Sequence, residues 1–108
     1  MALVFYRTVR TAPPTLDDFT SLMAKGILVK TADPAALRLH SGISVNATEQ
    51  QARNRAHDMP WLGAFIARLE VPEGSMIRSE RTLRTRGHHT LWGPPAELLG
   101  CVVDVFPV

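Results

Sequence analysis

The chain has 108 residues, of which 45% are apolar and 20% are charged. This length and this balance are typical of one globular domain, and they exclude a disordered chain. Twelve lysines and arginines against ten acidic residues leave a formal net charge of only +2, so we expect no nucleic-acid partner.

The one cysteine, Cys101, excludes an internal disulfide and a cysteine-rich metal site. The opening segment "MALVFYRTVR" has an apolar stretch that is too short to span a membrane, and Arg7 interrupts it. We therefore expect a cytoplasmic protein that has no signal peptide and does not engage a membrane.

In chain order, residues 3 to 9 are apolar, aromatic and β-branched, which predicts a strand. Thr15 with Asp18 three positions later then resembles a capping box, the side-chain arrangement that begins many helices. Apolar residues recur at helical spacing from there to Gly26, which predicts a first helix. They are Leu16, Phe19, Leu22 and Met23. The segment "DPAALRLH" predicts a short helix with Asp33 as its cap.

The segment "GISVNATEQQARNRAHDM", residues 42 to 59, is the most informative one. Ile43 and Val45 alternate with Ser44 and Asn46, which predicts a strand with its apolar pair inward and its polar pair on the other face. A capping box formed by Thr48 and Gln51 then begins a helix that we expect to end near His57 or Met59. Its predicted buried stripe consists of Ala52, Ala56 and Met59.

The second half of the chain predicts shorter elements. Alternation in "AFIARLEV" predicts a half-buried strand, in which Phe65, Ala67, Leu69 and Val71 alternate with Ile66, Arg68 and Glu70. "MIRSERTL" predicts another strand, "GPPAELLG" one or two helical turns, and "CVVDVFPV" a final strand. The mixed order of elements predicts a compact single-domain α+β fold. We expect small, twisted antiparallel or mixed sheets and two main helices.

Three groups of residues are candidates for a binding site. The first is Tyr6 with Arg7, where the guanidinium either faces solvent or presents a fork of donors to a phosphate. The second is Ser44, Asn46 and Thr48, which form either a solvent-facing strand with a helix cap or one wall of a cleft. The third is "TRGHHTLWGPP", in which His88, His89 and Trp92 either pack structurally or line a pocket.

No metal site is predicted. His88 and His89 are adjacent, so on a strand they face opposite ways and cannot bind one ion together. The sequence also contains none of the glycine-rich phosphate loops or the serine hydrolase motif.

A family resemblance rests on three short segments. These are "FYR" on the first strand, "GISVNATEQQARNRA", and "FIARLEVPEG" at the place of the next family strand. Together, across residues 3 to 74, they resemble small bacterial proteins of the ADP-ribosyltransferase fold. This superfamily includes the RES-domain NAD-consuming toxins and the RNA 2'-phosphotransferases.

The resemblance implies an NAD-binding cleft between two small sheets. Arg7 would hold the dinucleotide with Tyr6 beside it, and Ser44, or Thr48, would support the nicotinamide ribose. The family often has a glutamate on a late strand, which orients a ribose hydroxyl and stabilises an oxocarbenium-like transition state. Glu80 is the nearest match and Glu97 the alternative, but neither has the family's Glu-x-Glu spacing.

The leading hypothesis is a cytoplasmic, bacterial, toxin-type protein that binds NAD as a substrate and transfers ADP-ribose or degrades NAD, without a metal. Its predicted site is given by two sets of residues. The catalytic set is Arg7, Ser44, Glu80 and His88, and the binding set is Tyr6, Arg7, Ser44, Asn46, Thr48, His89 and Trp92.

Two alternatives to this hypothesis remain. The first is a non-catalytic member of the same fold that binds a protein partner. The second is an RNA-end-processing protein that uses Arg7, His88 and His89 with an arginine group. That group consists of Arg78, Arg81, Arg84 and Arg86.

Overall fold

Six strands and three helices are present in a computed structural model that describes residues 2–27, 33–82 and 87–108. The strands are β1 (Leu3–Val9), β2 (Ile43–Asn46), β3 (Phe65–Val71), β4 (Arg78–Arg81), β5 (His88–Trp92) and β6 (Val102–Pro107). The helices are α1 (Pro34–His40), α2 (Glu49–Asp58) and α3 (Pro95–Gly100), and single 3₁₀ turns cover Leu16–Phe19 and Pro60–Leu62. The chain is therefore a compact α+β domain.

The strands form one antiparallel sheet in the order β4-β5-β2-β1-β3-β6. Its weakest junction is in the middle. Strand β1 is in register with β3 over seven residue pairs, whereas β1 and β2 share a single pair, Tyr6 opposite Asn46. The two three-stranded halves of the sheet are therefore joined by less backbone pairing than the strands within either half.

Both faces of the sheet are covered near this junction. On one face, apolar strand residues such as Phe5, Val45 and Leu69 pack with Phe19 from the first 3₁₀ turn and Leu98 from α3. On the other face, helix α2 lies against β1, β2 and β3 through small side chains, so that the helix backbone approaches the sheet closely. These side chains are Ala52 and Ala56, which are buried.

Most local predictions are confirmed. The first strand has its predicted bounds, and Ile43 and Val45 are buried in β2. Asp33 caps α1 by accepting from the amide of Ala35 at 3.1 Å. Thr48 and Gln51 form the predicted capping box of α2.

The predicted first helix is wrong in extent. Thr15 and Asp18 do form a capping box, but the helical turn ends at Phe19 because Thr20 has an extended backbone. A separate turn follows and closes at Gly26, which has a φ of 76°. Because the extended residue breaks the helical phase, Leu22 and Met23 are exposed rather than packed beside Phe19.

Three further predictions need correction. Strand β3 has the predicted alternation, with Ala67, Leu69 and Val71 buried and Arg68 and Glu70 partly exposed, except at Ile66, which has no exposed surface on the face that α2 covers. The predicted order of elements also omitted β5, which pairs with β2 and β4 and so lies inside the sheet. The expected small sheets are a single six-stranded sheet, and of the two expected kinds of pairing it has the antiparallel one throughout. Within the described residues, no helix is long and apolar enough to cross a membrane.

We expect Thr48→Ala to lower the free energy of unfolding by about 1 kcal/mol, because the backbone N–H of Gln51 loses its acceptor, the hydroxyl of Thr48 at 3.2 Å. Urea unfolding followed by circular dichroism measures this loss. Thr48→Ser is the matched control, since it keeps the capping oxygen and should stay close to the wild type. Equal stability of the alanine variant and the wild type would contradict the capping role.

Candidate functional site

The guanidinium of Arg7 lies at the junction between the two halves of the sheet. Its Nε donates to the carbonyl oxygen of Asp18 at 2.7 Å, and its Nη1 donates to the carbonyl oxygen of Ser44 at 2.6 Å. The second bond reaches β2 next to the single pair that β1 and β2 share. The arginine side chain therefore links the two strands where their backbones pair only once.

A cavity of about 180 Å³ lies beside this guanidinium. Its walls come from β1, β2, α2, both 3₁₀ turns and the turn before Gly26. Four of its lining residues are cationic, namely Arg7, Arg10, Lys25 and Arg55. An adjoining cavity of about 320 Å³ shares lining residues with the first, and these are Arg7, Leu22, Lys25, Ser44, Arg55 and Leu62. We call the two together the cationic cleft.

The surroundings of Arg7 and Arg55 disfavour the charged forms of both side chains. The pKa of Arg7 is lowered to about 10, chiefly by burial; the negative charge of Asp18 opposes this lowering and the positive charge of Arg55 adds to it. Burial also lowers the pKa of Arg55. Both side chains remain cations at neutral pH, and each disfavours the charge of the other.

The acidic residues of the cleft are engaged elsewhere. The carboxylate of Asp18 accepts from the backbone amides of Thr15 at 2.9 Å and Arg10 at 3.1 Å. The carboxylate of Asp17 pairs with Lys25 at 3.1 Å. Among the described residues, neither Arg7 nor Arg55 forms an ion pair with a carboxylate. The first cavity is thus lined by four cations and two carboxylates, an excess of positive charge that an anion would neutralise.

Strand register brings most of the predicted site residues to one face of the sheet. Directly opposed residues of antiparallel strands point to the same side. One cross-strand row contains Tyr6, Asn46 and His88. The neighbouring row contains Ser44, Thr90 and Glu80.

Two of these residues, Ser44 and Asn46, line the cationic cleft with Arg7. The others do not: neither cavity is lined by Tyr6, Thr48, Glu80, His88, His89 or Trp92. Thr48 caps α2 outside the cleft, so it does not form the wall that was predicted for it with Ser44 and Asn46.

The two histidines face opposite ways, as their adjacency predicted, since His88 opposes Asn46 and His89 opposes Val45. The ring of His89 lies 5.1 Å from that of Phe5 on the core side of the sheet. On the other side, the Nδ1 of His88 is 3.0 Å from the hydroxyl of Thr82, and its Nε2 is buried without a partner in the described part of the chain. His88 is thus the member of the pair on the side of Ser44.

Burial lowers the pKa of His88 below its ordinary value, and the nearby charge of Arg55 lowers it further. Hydrogen bonding with the backbone of Thr82 acts in the opposite direction. His88 is therefore held as a neutral imidazole near the arginines, and its protonation would add a third positive charge to this part of the molecule.

Glu80 and Trp92 belong to a separate cluster, which joins α1 to the sheet. The carboxylate of Glu80 accepts two hydrogen bonds from Arg38, at 2.8 and 2.9 Å, and these bonds are the main reason why the pKa of Glu80 is lowered. The same guanidinium stacks 4.4 Å above the ring of Trp92. The indole N–H donates to the carbonyl of Arg38 and to the hydroxyl of Ser41, both at 3.1 Å.

Three other predicted groups lie apart from the cleft. Glu97 is exposed in the first turn of α3, a helix that packs on the face of the sheet with the main core through Leu98. Arg78 and Arg81 are exposed on β4, the edge strand. Arg84 and Arg86 of the proposed arginine group lie outside the described residues.

Arg55 is not among the predicted site residues, although the sequence pattern of α2 contains a signal for it. Arg55 lies three residues after Ala52 and one before Ala56, so it shares the stripe of α2 that faces the sheet. A cation in a stripe of buried alanines has to reach a cavity or a partner. Lys25 and Arg10 were missed for another reason, since only the irregular turns of the chain bring them to the cleft.

Compared with known proteins, the chain matches no family model, no curated protein and no solved structure.

We expect His88 to make the protein sensitive to acid. Because its pKa is lowered in the folded state, the unfolded chain takes up a proton first as the pH falls below about 6.5, and stability decreases until the folded-state pKa is reached. The free energy of unfolding of His88→Gln should therefore fall less than that of the wild type between about pH 7.5 and pH 5. The control is His57→Gln, which changes an exposed histidine of α2. Parallel pH profiles for wild type and His88→Gln would contradict this role.

We expect the two arginines to differ in what they contribute to the ligand-free protein. Arg7→Met should lower the free energy of unfolding by about 1–3 kcal/mol, because the carbonyls of Asp18 and Ser44 lose their donor. Arg55→Met breaks no side-chain hydrogen bond in the described part of the chain and relieves repulsion with Arg7. It should leave stability unchanged within about 0.5 kcal/mol, or raise it. Chemical denaturation of both variants makes the comparison, and a larger loss for Arg55→Met would contradict it.

Proposed function

We propose that the chain is an ADP-ribosyltransferase-like protein whose cationic cleft binds a phosphate-bearing nucleotide, with NAD as the leading candidate. The observation that carries the proposal is the pair formed by Arg7 and Arg55, which lack carboxylate partners and lie in one cavity with Ser44 and Asn46. Guanidinium groups are well suited to phosphate because they are planar, permanently charged and rich in donors.

The position of the cleft supports the family resemblance on which NAD is proposed. The resemblance implies a nucleotide between two small sheets, and the cleft lies where two three-stranded halves meet at one residue pair. Arg7 and Ser44, the two residues that the resemblance assigns to the dinucleotide and its ribose, lie in that cleft together. Both cavities are small for a whole dinucleotide, so the arginines would hold its phosphates and the remainder would extend outward.

Within this proposal the polar residues have distinct roles. Arg7 and Arg55 neutralise the phosphates, and the hydroxyl of Ser44 and the amide of Asn46 offer hydrogen bonds to a ribose. His88 lies opposite Asn46, but its Nε2 is buried and it lines neither cavity, so it would act behind Asn46 rather than in contact with the ligand. Tyr6, Thr48, His89 and Trp92 would act outside this contact set.

A second candidate, binding without turnover, is favoured by the state of Glu80. Its carboxylate is in the same row as Ser44 but two strands away, which is about 10 Å, and Arg38 holds it in a bidentate ion pair. To act on a ribose at Ser44, this carboxylate would have to leave Arg38. A non-catalytic member of the fold, with or without a protein partner, would keep the cleft and lose only the chemistry.

We expect NAD to raise the melting temperature of the wild-type protein, because a ligand that binds only the folded state stabilises it. Arg7→Ala should weaken binding by about 1.5–3 kcal/mol, measured by calorimetric titration. Arg53→Ala is the matched control, since it removes an arginine of α2 that pairs with Glu49 outside the cleft. Failure of NAD, ADP-ribose and pyrophosphate alike to bind would overturn the proposal.

Release of nicotinamide then separates the two candidates. An enzyme should release nicotinamide from NAD, and Glu80→Gln should abolish the release while it leaves NAD affinity within a few-fold. A binding protein should show stoichiometric NAD binding and no release in either form. In that case the catalytic assignments of Glu80 and His88 would be withdrawn and the binding role of Arg7 kept.

A further inference from the structure

The cationic cleft ends at an exposed aromatic ring. Trp61 lines the cavity together with Arg7 and Arg55, yet its side chain is 72% exposed. It also lines an open groove of about 590 Å³ with Arg10 and His57. The indole therefore stands between the arginines and a wider space, whose volume is in the range of ligand-binding sites.

The backbone that carries this ring is fixed at both ends. Pro60 begins the 3₁₀ turn, and the amide of Leu62 donates to the carbonyl of Met59 at 3.1 Å. Gly63 then has a φ of 151°, and a Cβ atom at this position would collide with the carbonyl of Val9 in β1. The turn is therefore pressed against the sheet, and the exposed position of Trp61 follows from a constrained backbone.

The two tryptophans of the chain differ in how far their surfaces are used. Trp92 donates two hydrogen bonds through its indole N–H and is covered by the guanidinium of Arg38. Trp61 has no hydrogen bond, ring contact or cation–π contact with any residue that the structure describes. A large exposed ring beside an excess of cations is suited to a ligand that has both an anionic group and a planar ring.

We propose that Trp61 is a stacking platform for a planar heteroaromatic ring of the ligand whose phosphate binds at Arg7 and Arg55. This inference rests on the proposed nucleotide-binding function, and it adds Trp61 as a residue that determines which phosphate-bearing compounds bind tightly. The arginines attract any small phosphate, whereas the indole favours those that are attached to a base. A purely apolar partner is disfavoured, because Arg10 lines both the cavity and the groove that Trp61 lines, and Arg7 and Arg55 also line the cavity.

The experiment compares adenosine 5'-monophosphate with ribose 5-phosphate, two probes that have the same sugar and phosphate and differ only in the base. Calorimetric titration of the wild-type protein should give at least a roughly 10-fold higher affinity for adenosine monophosphate, the effect of stacking one base. Trp61→Ala should remove this preference and leave the affinity for ribose 5-phosphate unchanged. Trp61→Phe should keep part of the preference, because a smaller ring can still stack.

Fluorescence provides an independent measurement. In Trp92→Phe, Trp61 is the only tryptophan, so adenosine monophosphate should quench or shift its emission and ribose 5-phosphate should not. If Trp92→Phe does not fold, the difference between wild type and Trp61→Phe gives the same signal.

The outcomes separate the inference from the proposal beneath it. Equal affinity for the two probes, unchanged by Trp61→Ala, would overturn the stacking role and leave phosphate binding intact. Loss of affinity for both probes in Trp61→Ala would also overturn it, since the residue would then support the cleft as a whole. If neither probe, nor NAD, binds the wild type, the nucleotide-binding function falls and the stacking role falls with it.

Discussion

The hydrogen bonds from Arg7 to two backbone carbonyls are the interaction on which the rest of the structure depends. Strands β1 and β2 share one residue pair, so the two halves of the sheet have little backbone pairing to hold them together. The guanidinium spans this place, because one of its nitrogens reaches Ser44 in β2 and another reaches the turn at Asp18. This link joins β1, β2 and the first 3₁₀ turn at the place where all three line the cleft.

The same link explains why the site is electrostatically unfavourable without a ligand. Carbonyl oxygens satisfy the donors of Arg7 but carry no full charge to balance it, and Arg55 adds a second cation nearby. A carboxylate in contact with them would stabilise the protein and occupy the place of an anion. The nearest one, that of Asp18, is instead bonded to backbone amides, so the fold keeps its positive charge available at the expense of stability.

Features that depend on neighbouring residues, such as helix caps and strand alternation, were predictable from the sequence. Features that depend on tertiary packing were not. The caps at Asp33 and Thr48 and the alternation around Ser44 depend on neighbouring residues, and they were predicted well. The helix predicted after Thr15 is broken by the conformation of Thr20, which leaves no mark in the apolar spacing. Arg7 and Ser44 were selected together only through a family resemblance, because 37 positions separate them and no periodicity joins them. Arg55 shared the buried stripe of α2 and could have been predicted from it.

The acceptors of Arg7 belong to the main chain, and this affects how the site can change in evolution or by design. A carbonyl group is present whatever side chain its residue has, so substitutions at position 44 or 18 need not release the guanidinium. The side chain at position 44 is then free to vary in size and polarity while the cation beside it stays in place. In the cleft, the guanidinium of Arg7 would retain the anion, whereas the side chain at position 44 would help to select the rest of the ligand. Proteins that differ at position 44 could therefore differ in ligand preference while all of them keep the same guanidinium.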